Sequence, residues 1–297
     1  MKYRFGKRDV EHPSKLLGEL RSSNDLLGNV GALHERMRTD GYLLLRSLIN
    51  RENLLTARRT ILDYMDERQV LSPGDPVLEG VMPKGGNSLS LAGFDGISHH
   101  EDVLRVLEAD RLFSFYADYF GEPATTFVFK WLRSVGNEKY TGAHYDVVYM
   151  GRGSEKLHTT WIPLGDTPVE HGTLAICVGS HNGPEFEPLR RTYGQIDVDR
   201  DRHEGWFTND PLEITEKFGG SWQTTSYQAG DVILFGMYTM HASTTNLTDR
   251  FRLSCDVRFQ PASDPVDNRW GGHNPTGHEA TDQPIKPMAE SRQAWEL

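Results

Sequence analysis

Three histidines in this sequence are followed two positions later by an acidic residue. They are His99 with Glu101, His100 with Asp102, and His144 with Asp146. On an extended segment, side chains two positions apart project to the same side, so such a pair can present two metal ligands together. With 12 His and 42 Asp plus Glu in 297 residues, about one or two pairs arise by chance, so the spacing alone identifies no site.

The surrounding sequence separates the three pairs. The two pairs that begin at His99 and His100 lie directly before a helical pattern, where acidic groups favour the positive end of the helix dipole. His144 and Asp146 instead lie between the turn residues 140–142 and a short apolar run, at the start of a region of short strands. We therefore predict that His144 and Asp146 are the pair that binds a metal.

A third ligand must come from a strand that returns to the same place. The candidates are His158, His171, His181, His203 and His241. Two histidines and one carboxylate on one face of iron(II) leave other positions open for dioxygen and a chelating oxoacid. His241 follows an apolar strand and shares its side of an extended segment with Ser243.

The segment 251–259 alternates strictly between apolar and polar residues. Its polar residues are Arg252, Ser254, Asp256 and Arg258. Such a strand either turns its polar face to solvent or lines a polar cavity. In a cavity, Arg252 could bind a dicarboxylate through two parallel hydrogen bonds. The neighbouring His241 and Ser243 favour the cavity.

The elements that must position these residues change character along the chain. Apolar residues at helical spacing predict helices at 14–27, 30–39, 51–69 and 101–120, with a short strand at 42–46. Short apolar runs bounded by turns predict strands at 127–132, 147–150, 157–164, 173–178, 232–237 and 251–259. We expect a mainly β fold with flanking helices: a helical part at about 1–120, a β core at about 121–260, and a tail at 261–297.

Length and composition favour one ordered domain over residues 1–297. The chain is 37% hydrophobic and 25% charged, and mainly β folds of this length commonly form a single domain. Stretches rich in Gly, Pro or polar residues predict surface loops at 72–96, a candidate lid, and at 184–220.

Composition also limits which classes of binding partner and which cell compartment we expect. A net charge of -10 argues against nucleic acid and leaves a small molecule as the expected substrate. Cys177 and Cys255 lie in apolar stretches, which predicts buried thiols. The charged residues 1–9 do not form a signal peptide and no long apolar run predicts a membrane span, so we expect a cytoplasmic protein. The sequence indicates no oligomeric state.

Six short motifs occur in a characteristic order. They are Gly142-Ala143-His144-Tyr145-Asp146, Trp161-Ile162-Pro163-Leu164-Gly165-Asp166, His171-Gly172-Thr173-Leu174, Val178-Gly179-Ser180-His181, Gly230-Asp231-Val232 and His241-Ala242-Ser243, followed by Asn246 and Arg252. This ordered set, over about residues 41–260, resembles the phytanoyl-CoA dioxygenase family of iron(II)- and 2-oxoglutarate-dependent oxygenases. The set is far more specific than any single motif.

The resemblance implies a double-stranded β-helix, a cupin-like jelly-roll. In it, His144, Asp146 and His241 would bind iron(II). Arg252, helped by Ser243, would bind the far carboxylate of 2-oxoglutarate. The implied enzyme uses dioxygen and 2-oxoglutarate to oxidise a small molecule, with release of succinate and CO2.

The resemblance also suggests roles for four further residues. Trp161 and Lys130 lie where family members contact the cosubstrate, whereas His171 and His181 fall in turns. Halogenating relatives replace the carboxylate with a small residue, so Asp146 favours hydroxylation. Desaturation, epoxidation and ring formation use the same ligands and stay open.

Two functions from other classes stay open as well. A zinc hydrolase also uses His, Asp and His with a bound water, but it gives Arg252 and Ser243 no role. A cupin-like module would bind a metal or ligand without turnover.

Overall fold

The computed structural model of the protein describes residues 2–84, 89–279 and 283–297. Within these residues the strands are β1 (Lys2–Phe5), β2 (Arg8–Glu11), β3 (Gly18–Glu19), β4 (Tyr42–Leu45), β5 (Ala124–Thr126), β6 (Trp131–Val135), β7 (His158–Pro163), β8 (Leu174–Val178), β9 (Ser221–Thr224), β10 (Val232–Gly236), β11 (His241–Ser243) and β12 (Arg252–Pro261). The α-helices are α1 (Val30–Asp40), α2 (Arg51–Glu67), α3 (Glu101–Leu107), α4 (Asp110–Phe120), α5 (Val147–Met150), α6 (Glu187–Arg191), α7 (Pro211–Phe218) and α8 (Met288–Ala294). In the described part of the chain, none of the helices has the length and apolar character that a membrane span requires.

Two sheets face each other and enclose the core of the fold. The larger sheet has the order β4-β10-β7-β12-β5, with β6 also paired to β12, and the smaller sheet has the order β11-β8-β9-β3. Tyr42 and Phe235 from the larger sheet pack between the sheets against Leu174 and Ile176 from the smaller one. This arrangement confirms the predicted mainly β, jelly-roll core with flanking helices, and the described strands do not close into a barrel.

Strand β12 is buried along its whole length because both of its faces are covered. Its apolar face, which includes Leu253 and Val257, packs in one core with the buried side of α2, where Leu54 and Ile61 lie. Burial of one aliphatic side chain in this core stabilises the fold by about 1.5–3 kcal/mol relative to its exposure to water. The polar face of β12 points the other way, between the sheets, so the solvent-facing interpretation of its alternation is wrong.

Side-chain oxygens cap the helices that cover the larger sheet. Asn29 accepts from the backbone of Ala32 at the start of α1, and Asn50 accepts from the backbone of Asn53 at the start of α2. Helix α1 ends at Gly41, whose φ of 80° is a left-handed conformation that glycine adopts without strain. Strand β4 therefore begins immediately after α1.

Some local predictions are wrong. Residues 14–27 form no α-helix: they contain β3, which pairs in parallel with β9, followed by a short 3-10 turn. The predicted helix at 101–120 is broken between α3 and α4, because Ala109 adopts an extended conformation. The apolar run at 147–150 forms the short helix α5 instead of a strand.

The boundaries of the expected regions also need correction. The part expected to be helical, 1–120, contains β1, β2 and β3 in addition to the strand expected at 42–46, which is β4 and pairs with β10 in the larger sheet. Residues 85–88 of the predicted lid and residues 280–282 of the tail lie outside the described residues.

Candidate metal centre

The side chains of His144, Asp146 and His241 converge between the sheets. Their ligand atoms all lie within 4.8 Å of one another, and Nε2 of each histidine is 3.8 Å from Oδ1 of Asp146. The backbone explains the approach, because His144 and His241 exchange two hydrogen bonds of 3.0 and 3.1 Å. The His-x-Asp segment therefore runs antiparallel beside β11, and the prediction that these three residues come together is confirmed.

Both histidines present the nitrogen that a metal needs. Nδ1 of His144 donates to the carbonyl of Gly142, and Nδ1 of His241 donates to the carbonyl of Thr239, each at 2.9 Å. A carbonyl can only accept, so the proton lies on Nδ1 and the lone pair of Nε2 is available to a metal. Burial, and then repulsion from His241, lowers the pKa of His144 to about 3, which keeps this imidazole neutral.

Asp146 divides its two oxygens between different partners. Oδ1 faces the histidines, whereas Oδ2 accepts hydrogen bonds from Oγ1 of Thr159 and, at 3.2 Å, from Nη2 of Arg258. Burial opposes ionisation of this carboxyl, but the charge of Arg258 and the hydrogen bond from Thr159 favour the carboxylate and hold its pKa well below the usual range. The site thus offers two imidazoles and one carboxylate, a donor set that fits iron(II).

Arg252 is a buried cation that forms no ion pair with a carboxylate in the described part of the chain. It is 2% exposed, its Nη1 donates to Oγ of Ser254, and its Nε has no hydrogen-bond partner. Burial, and then repulsion from Arg133, lowers the pKa of Arg252 to about 10, so it stays charged near neutral pH. Its guanidinium carbon lies 5.8 Å from the ring centre of Trp161. Since a buried charge without a partner is costly, Arg252 fits an anionic ligand.

Ser243 lies two positions after His241 on β11 and is 2% exposed. Its Oγ accepts a hydrogen bond of 2.8 Å from the backbone of Thr141. Because the hydroxyl already accepts from the protein, its own proton is available to an anionic oxygen of a ligand.

Lys130 has other partners than a cosubstrate. Its side chain is fully buried, and Nζ lies 2.6 Å from the carbonyl of Phe127 and 2.7 Å from Oε1 of Glu108. Its contact with 2-oxoglutarate therefore stays a prediction. On β6 it is Arg133 that bonds to Asp256 on the polar face of β12, at 2.7 Å.

Sequence reasoning assigned no role to four of these residues: Arg133, Thr159, Asp256 and Arg258. The alternation along β12 had placed Asp256 and Arg258 on the same face as Arg252, and this was a usable signal. Nothing in the local sequence indicated Thr159 or Arg133, because strand pairing alone brings them to that face.

The remaining histidine candidates make other contacts. The partners are backbone carbonyls for His158, His171 and His181 and the hydroxyl of Ser291 for His203. His100 caps the start of α3, and Glu101 and Asp102 lie in its first turn. The pairs that begin at His99 and His100 therefore lie at the start of a helix, as predicted. Cys177 and Cys255 are buried free thiols, which confirms that prediction.

A sequence model of the family described as phytanoyl-CoA dioxygenase (PhyH) matches residues 37–254. The chain belongs to this family. Members of this family are iron- and 2-oxoglutarate-dependent oxygenases, and the donor set of His144, Asp146 and His241 fits such an iron.

Solved structures with the same fold include three such oxygenases. EctD from S. alaskensis, solved with 2-oxoglutarate and 5-hydroxyectoine, is 16% identical with a TM-score of 0.56 and 93% coverage of both chains. The carbocyclase SnoK from nogalamycin biosynthesis is 17% identical, has a TM-score of 0.55, and covers 84% of this chain and 89% of its own. The epimerase SnoN, solved with Fe3+ and alpha ketoglutarate, is 18% identical, has a TM-score of 0.53, and covers 87% and 92%. At these identities the likeness shows the fold.

Proposed function

We propose that the chain is a hydroxylase that inserts one oxygen atom of dioxygen into a C–H bond of a small molecule. In the balanced reaction, substrate, 2-oxoglutarate and dioxygen give hydroxylated product, succinate and CO2. The observation that carries the proposal is the convergence of His144, Asp146 and His241 between sheets that also hold the buried guanidinium of Arg252.

Each residue of the proposed site has a distinct task. Nε2 of His144, Nε2 of His241 and Oδ1 of Asp146 would hold iron(II), which when bound supplies the means of activating dioxygen. Arg252 would bind the far carboxylate of 2-oxoglutarate, and Ser243 would donate its hydroxyl proton to the same group. Trp161, which is 2% exposed, would close this end of the site against water.

We propose hydroxylation in preference to desaturation, epoxidation or ring formation, which use the same metal ligands. SnoK and SnoN are described as a carbocyclase and an epimerase, so the fold itself does not decide between them. Asp146 is present, and a hydroxylase needs no group beyond those already placed. A zinc hydrolase would give the buried charge of Arg252 no anionic partner, and a binding module without turnover would release no succinate.

The test is a screen of small molecules for succinate formation from 2-oxoglutarate under air, with iron(II) and ascorbate. We expect a substrate to stimulate succinate release and to gain the mass of one oxygen atom. His144→Ala, Asp146→Ala and His241→Ala should each abolish it, whereas His100→Ala, in a decoy His-x-Asp pair, should retain it. A product that has lost two hydrogens would show that the reaction is desaturation or ring formation and not hydroxylation. Full activity in all three variants of His144, Asp146 and His241 would refute the proposed site.

A further inference from the structure

Two donors from neighbouring strands hold the same oxygen of Asp146. Arg258 on β12 and Thr159 on β7 are directly paired in the sheet, so their side chains project from the same face at the same level. Thr159 donates its hydroxyl to Oδ2 of Asp146, and Arg258 donates Nη2 to that atom at 3.2 Å. The strand register therefore creates a two-point grip on one carboxylate oxygen.

Arg258 has few other polar contacts. It is 2% exposed, and its guanidinium carbon lies 4.2 Å from the ring centre of Trp131. Among the residues that the structure describes, its Nε and Nη1 have no hydrogen-bond partners. Nη1 lies 3.8 Å from Oδ2 of Asp256, an ion pair beyond hydrogen-bond distance. A buried arginine with two unsatisfied nitrogens destabilises the fold, because its charge and its N–H groups lose their contact with water. An apolar side chain would fill this space without that loss of free energy. Its bond to Asp146 is the contact that requires an arginine.

We propose that Arg258 and Thr159 are positioning residues that make Asp146 coordinate the metal through Oδ1 alone. With Oδ2 occupied, the carboxylate cannot turn to chelate through both oxygens, so the positions that 2-oxoglutarate and dioxygen need stay open. This inference rests on the proposed metal ligands. It concerns two residues outside the proposed set of metal and cosubstrate ligands.

Manganese(II) titration of the metal-free protein tests the proposal without turnover. Thr159→Val removes the donor at constant shape, and Thr159→Ser keeps it. We expect the dissociation constant of manganese(II) to rise about 10- to 100-fold in Thr159→Val and in Arg258→Met. Thr159→Ser should stay within about threefold of the wild type, and Arg258→Lys, which keeps the charge, should lie between the wild type and Arg258→Met.

Arg46→Met is the matched control, because Arg46 forms a similar pair with the buried Asp231, at 2.6 Å. It should lower the melting temperature and leave manganese(II) affinity unchanged. If Thr159→Val and Arg258→Met bind manganese(II) as the wild type does, or if Arg46→Met loses as much affinity as they do, the positioning role is refuted. If His144→Ala leaves wild-type manganese(II) binding intact, the proposed metal ligands fail instead, whatever the Arg258 variants do.

Discussion

Replacing Arg252 by methionine should weaken 2-oxoglutarate binding and at the same time stabilise the protein without ligands. Arg252 is 2% exposed, and burial together with Arg133 lowers its pKa from the usual arginine range to about 10. Because the folded pKa is the lower one and both values lie above neutral pH, the guanidinium is protonated in both states at pH 7. Folding then carries the full penalty of burying the charge, about 3 kcal/mol.

The net effect follows from what the substitution removes. Loss of the bond from Nη1 to Ser254 costs about 1 kcal/mol, which leaves a net gain of about 2 kcal/mol and a rise in melting temperature of roughly 4 °C. For 2-oxoglutarate the sign is opposite, because a buried charge partner is worth roughly 3 kcal/mol, and its dissociation constant should rise about 100-fold.

Thermal melting with and without 2-oxoglutarate, on the manganese(II)-loaded protein, together with calorimetric titration, measures both effects. Arg46→Met, which breaks an ion pair, should melt at a lower temperature than the wild type and bind 2-oxoglutarate normally. If Arg252→Met melts below the wild type while its 2-oxoglutarate affinity is unchanged, Arg252 is a structural residue and the argument from its unpartnered charge is wrong.

Three further predictions follow from burial. Lys130→Met should lower the free energy of unfolding by about 2 kcal/mol, because Glu108 loses its partner, and urea titration measures this loss. A tenfold rise in the KM for 2-oxoglutarate would instead support a contact between Lys130 and the cosubstrate. Burial lowers the pKa of His171 to about 4, so stability should fall as the pH drops from 6.5 to 4, and His171→Gln should remove up to about 3 kcal/mol of that loss in unfolding measured against pH. Cys177 and Cys255 should react with a thiol reagent only after unfolding, and labelling of the native protein would contradict their burial.

The pair of His144 and Asp146 and the strands β4, β7, β8, β10 and β12 were predictable because their signals are local. The alternation along β12 and the spacing of His144 and Asp146 depend on neighbours in the sequence. The failures occurred where a distant contact overrides local preference. Residues 14–27 have helical spacing, yet β3 pairs with β9, and the hydrogen bonds of that pairing replace those of a helix.

By itself, then, the sequence determined which residues alternate, which turn, and which ordered motifs belong to a known family. Only the tertiary structure decided what surrounds them. Thr159 and Arg258 meet at one oxygen of Asp146 through strand register, and a shift of one residue would turn both side chains to the opposite face. Lys130 bonds to Glu108 for the same kind of reason, since α3 ends beside the segment that leads into β6. Register and docking are long-range properties, and no local pattern encodes them.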